Sequence, residues 1–77
     1  MSGHDVQALS DVDIHVYEAV ASLAIAHETA GREAVVQSSG LDESDVRRSL
    51  ATLVAHGHIV PRGDGFALGS HDFEVDY

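Results

Sequence analysis

The 77-residue chain contains no cysteine, no lysine and a single proline. Without cysteine, neither a disulfide nor a thiolate zinc site can reinforce a core that is near the lower size limit of self-sufficiency. Association with a second copy is one way to reinforce it. No apolar run approaches the roughly 18 residues of a membrane span, and the N-terminus lacks the basic-then-apolar order of a signal peptide. The expectation is a soluble, cytoplasmic protein with no membrane partner. A glycine-rich phosphate loop and a recognisable serine–histidine pair are missing too, and so short a chain gives its scattered carboxylates no enclosing pocket. Neither catalysis nor a cofactor is expected.

Four arginines face thirteen acids, for a net charge of −9. Small apolar residues under so acidic a surface read as adaptation to molar salt. Hydrated carboxylates then maintain solubility, while screening over about 3 Å at 1 M removes most of their mutual repulsion. An ordinary acidic protein and a DNA mimic that binds a basic partner are the two competing readings. The charges are also segregated. Residues 1–31 hold five acids and no base, residues 66–77 three acids and no base, and residues 32–65 all four arginines against five acids. The middle segment is the only part of the chain near neutrality, and so the only part suited to face an anion.

Residues 1–9 hold few packing side chains and are expected to be a flexible N-terminus. Ser10 with Asp13 makes a capping-box start, with Leu9 and Ile14 placed for a hydrophobic staple, so a first helix should run from about Asp11 to His27. Its apolar residues form two stripes at helical spacing, Val12/Val16/Val20/Leu23 and, roughly opposite, Ile14/Tyr17/Ala21/Ile25. One face can meet the rest of the domain. The other needs cover, and Ile14, Tyr17, Ala21 and Ile25 are the expected interface of a homodimer. Residues 28–31 read as a turn, and a second helix is expected at about 32–38. Gly40 supplies a tight turn. Asp42 caps a third helix, in which Val46, Leu50 and Leu53 recur at core spacing until Gly57 stops it. Ile59-Val60 and Phe66-Ala67-Leu68 read as two strands joined by the turn-rich segment 61–65. Residues 70–77 form an acidic tail in which Phe73, Val75 and Tyr77 alternate with acids. This period of two implies an extra strand or a dimer arm, with Phe73 and Tyr77 as further interface residues.

Val35-Val36, Gly40-Leu41, Val46, Leu50, Leu53, Gly57 and Ile59 give residues 10–69 a resemblance to the winged helix-turn-helix domains of bacterial and archaeal transcriptional regulators. Two positions depart from the common pattern: Val36 stands where alanine is usual, and Ser39 where leucine is. The resemblance implies a mainly α fold, a three-helix bundle plus a small β-hairpin wing. It also implies sequence-selective binding of double-stranded DNA in transcriptional control, with a recognition helix at about 43–56 and a wing at about 58–68. With Val46, Leu50 and Leu53 facing inward, Ser44, Arg48 and Ala51 point out and Arg47 and Thr52 lie on the flanks. Arg48 or Arg47 would contact guanine, Ser44 and Thr52 bases or phosphate, Arg32 phosphate, and Arg62 the backbone or adjacent minor groove. The same two arginines would instead only pair with Asp42, Glu43 and Asp45 if the domain is a protein-interaction or assembly module. His56, His58 and His71-Asp72 match no strong metal-ligand spacing, and no metal is expected.

Overall fold

The computed structural model describes residues 9–69. They form α1 (Asp11–His27), β1 (Ala30–Gly31), α2 (Arg32–Ser39), α3 (Glu43–Ala55), β2 (Ile59–Arg62) and β3 (Gly65–Leu68). The architecture is mainly helical, with one small antiparallel sheet in the strand order β1-β3-β2. The tail with Phe73 and Tyr77, like residues 1–8, lies outside the described residues.

Local chemistry accounts for the helix ends. The Ser10 side chain accepts from the Asp13 amide (3.0 Å) and the Asp13 carboxylate accepts from the Ser10 amide (3.3 Å), closing the capping box of α1. Gly40 ends α2 in the left-handed region (φ 74°), its amide donating to the Val36 carbonyl. Ser39, which stands where leucine is usual, builds this turn. Its hydroxyl donates to the Val36 carbonyl and accepts from the Leu41 amide, both at 3.2 Å. At the end of α3, the Gly57 amide donates to the Val54 carbonyl and the His58 amide to that of Leu53, the paired bonds of a Schellman motif. Asp42 does stand at the N-cap of α3, but its side chain makes no capping bond.

The core is drawn from all three helices and the sheet: Val16 and Val20 of α1, Val35 of α2, Val46, Leu50 and Leu53 of α3, and Ile59 of β2 are buried. Leu9, Tyr17 and Leu68 pack partly buried against it. Burial separates the two stripes of α1. Val16 and Val20 are fully covered, whereas Ile25 is 79% and Ile14 44% exposed. Tyr17 departs from the outer stripe: it is half-buried, with its ring edge-on to His58 (centroids 6.1 Å apart). Val12, placed on the inner stripe, is exposed.

The sheet differs from the two-stranded hairpin expected. Residues 30–31, read as turn, pair as β1 with β3 (Ala30 with Phe66, Gly31 with Gly65), a contact that local pattern cannot announce. A Cβ on Gly65 would come within 2.6 Å of the Ala30 carbonyl oxygen, so glycine is what lets the two backbones meet. The hairpin is also longer than expected. β2 runs through Pro61, which pairs with Phe66, and the loop shrinks to Gly63-Asp64, with Gly63 at φ 58°. Proline is tolerated because β2 is an edge strand. A first loop residue of positive φ is the geometry a tight two-residue hairpin favours. Among the described residues no helix is long and apolar enough to cross a membrane.

Candidate nucleic-acid interface

The phase of α3 sorts its side chains into three groups. At about 100° per residue, Val46, Ser49, Leu50 and Leu53 point to one side, and all four are buried. Ser44, Arg48, Ala51 and Ala55 fall roughly opposite and are exposed. Arg47 lies on the flank toward the sheet, and Thr52 on the flank toward α1. The latter flank is tied down. Ser49 donates a 2.6 Å hydrogen bond to the Asp13 carboxylate, linking α3 to the first turn of α1 across 36 residues of sequence. Burial pushes the Asp13 carboxyl up. The Ser49 hydroxyl, the Ser10 backbone and side chain and the nearby His56 together outweigh it and hold the carboxyl below its ordinary value. A second link joins α1 to the turn: His15 Nε2 donates to the Ser39 carbonyl at 2.9 Å. Neither link was foreseen from sequence, since each joins residues far apart in the chain.

The sheet-facing flank is open. An apolar groove of about 390 Å³ runs along it, with Leu50, Ala51, Val54 and Ala55 of α3 facing Phe66 of β3, and Arg32 and Arg47 beside them. Arg32, the first residue of α2, also borders two adjoining hollows, one with Asp64 of the hairpin loop and one with Gln37 and Glu43. Phe66, read from sequence only as a strand residue, is thus part of the candidate surface. Its alternation with buried Ala67 was the available signal.

All four arginines are exposed, and among the described residues none is held in an ion pair, so Asp42, Glu43 and Asp45 do not neutralise Arg47 or Arg48. The expected residues do not converge on one spot. Arg32 and Arg47 share the groove; Arg48 and Ser44 stand on the outward ridge; Arg62 ends β2 beside the hairpin loop, exposed. Thr52 is less available than expected. It is half-buried, and its hydroxyl donates to the Arg48 carbonyl at 3.2 Å, leaving only acceptor capacity for a ligand. The rings of His56 and His58 stack 6.2 Å apart, and among the described residues no three histidine, aspartate or glutamate side chains are grouped to hold a metal ion. No protein-family model matches the chain, and comparison with curated proteins and with solved structures gave no match.

Proposed function

We propose that this domain is a winged helix-turn-helix that binds double-stranded DNA selectively in transcriptional control. In this reading α3 enters the major groove and the β2–β3 hairpin is the wing. The observation that carries the proposal is the outward face of α3. Arg48 stands there exposed, in no ion pair among the described residues, between Ser44 and small residues, with Arg47 and Arg32 on the adjoining groove and Arg62 at the hairpin. Ala51 and Ala55 have no bulk to hold the helix off a base edge. In this reading Arg48 makes a bidentate contact with guanine. Arg47 and Arg32 border the same groove and suit phosphate, as does Arg62. The net charge of −9 opposes DNA at low ionic strength. In the salt-loaded cytoplasm inferred from the composition, screening weakens that repulsion together with the phosphate attraction, so discrimination rests on short-range base contacts.

The outer stripe of α1 favours a second surface. Ile14 and Ile25 lie on one helical face and are open to solvent, which suits a homodimer. If the domain is instead a protein-interaction module, this stripe carries the contact and α3 carries none. The deciding experiment is selection from random duplex DNA in about 2 M KCl and, in parallel, at low salt. Enrichment of a short two-fold-symmetric motif is the expected result. Retention of no sequence in either salt by folded protein would leave the interaction module.

A further inference from the structure

We propose that residues 70–77 of this chain dock in the groove between α3 and β3 and cover it. The groove has an apolar floor that includes Ala51, Val54 and Phe66, and two guanidiniums, Arg32 and Arg47, at its edge. That combination suits a segment in which apolar and acidic residues alternate. Outside α1 the chain carries one such segment, Asp72-Phe73-Glu74-Val75-Asp76-Tyr77. Extended, it would turn Phe73 and Val75 to the floor and leave its carboxylates within reach of two long, flexible cations.

Reach and charge support the same assignment. The Gly69 amide donates to the His58 carbonyl at 2.8 Å, so the described chain ends beside His58, three residues past Ala55, the groove residue nearest the end of α3. From Ala55 back to Arg47 the helix spans about 12 Å at 1.5 Å per residue. Four extended residues at about 3.3 Å each cover that distance. The competing apolar surface, the outer stripe of α1, belongs to a helix with Asp11, Asp13 and Glu18 and no arginine. A tail bearing three acids and no base is therefore drawn to the groove. Tethering raises the effective concentration of the tail to the order of millimolar, so even weak docking is populated. The docking stands independently of DNA. Its consequence, that the tail and a duplex compete for Arg47 and Ala51, rests on the reading in the preceding subsection.

The test uses the full chain without DNA. A nitroxide on Tyr77→Cys, the sole thiol in the variant, should broaden the methyl resonances of Ala51, Val54 and Ala55 when label and isotopes share one chain. In a mixture of spin-labelled and isotope-labelled chains, the broadening should vanish. Broadening at Ile14 and Ile25, broadening only between chains, or none at all would overturn the docking. In the same chain, Phe73→Ser/Val75→Ser should shift those three groove residues' methyls and leave Ile14 and Ile25 unmoved; unchanged groove methyls would also overturn it. For the competition, a tail docked for 80–90% of the time lowers apparent DNA affinity about 5–10-fold, so the double variant should bind a selected duplex tighter by that factor. Equal affinity would overturn the masking. Absence of DNA binding by both proteins would instead refute the DNA reading, leaving the docking to stand or fall on the spectra.

Discussion

Along one flank of α3, Ser49 is only 3% exposed and its hydroxyl is committed to Asp13 of α1. Along the other, Ala51 and Ala55 lie exposed beside Phe66, with no polar tie to the sheet. Both flanks belong to one thirteen-residue helix with a shared buried seam. The first has the character of scaffold: a charge-assisted bond sets how α3 sits on α1. The second is an open surface, small and apolar, with the exposed cations Arg32 and Arg47 beside it. Arg48 stands on the ridge between them, its direction set by the tied flank and its surroundings by the open one.

Removing the seam that both flanks share should have the largest effect. Leu53 is fully buried. Leu53→Ala should cost about 2–5 kcal/mol, enough in a domain of this size to abolish a cooperative thermal transition. A transition within a few degrees of the parent's would mean the seam is not the common support. Gly65→Ala should act on the open side. The new methyl would meet the Ala30 carbonyl at 2.6 Å, forcing β1 from β3 at a cost of about 1–3 kcal/mol and disturbing Phe66. Hydrogen exchange should show protection lost along β1 and β3 and kept between α1 and α3.

Ser49→Ala probes the tied flank. It strips the Asp13 carboxylate of its hydroxyl partner and should cost about 1–3 kcal/mol. Its pH signature is specific. Asp13 titrates below its ordinary value in the folded protein. The stability it contributes is therefore complete above the unfolded-state value and is lost as pH falls through the folded one. Without Ser49, burial is opposed by fewer partners, so the Asp13 carboxyl should titrate higher and the acid-side loss of stability should flatten. Carboxyl NMR titration of both proteins reads this directly, and an unmoved Asp13 would show that the bond does not hold the charge.

The elements legible in the sequence are those whose causes are local. Ser10 and Asp13 announce the start of α1, Gly40 the turn, and Gly57 the end of α3, each within four residues of what it controls. What escaped reading joins distant residues. β1 exists because Ala30-Gly31 meets Gly65-Phe66, and Ala30-Gly31 alone looks like a turn. Pro61 looked like a loop residue because strand position decides whether proline is tolerated, and that β2 lies at the sheet edge is a fact of topology. The site divides in the same way. The outward direction of Arg48 and Ala51 follows from helical phase. That Arg32 and Phe66 share a groove with Arg47, and that the Thr52 hydroxyl turns back to the Arg48 carbonyl, depends on packing.

The finest test of the comparison sets neighbouring arginines against each other. Arg48 on the ridge should read a base, whereas Arg47 in the groove beside Arg32 should hold phosphate. A bidentate base contact discriminates by about 1–3 kcal/mol, so Arg48→Ala should weaken a selected duplex by roughly 5–150-fold and relax preference at one position. Because that contact is short-ranged, most of the loss should persist in concentrated KCl. A phosphate contact acts through counterion release, so Arg47→Ala should weaken all sequences alike, reduce the salt slope by about 1, and matter least at high salt. Affinities of both variants for selected and scrambled duplexes across a KCl series separate the two roles. A swap, with Arg47 carrying the sequence preference, would move the reading face of α3 toward the hairpin and make the apolar groove itself part of base recognition.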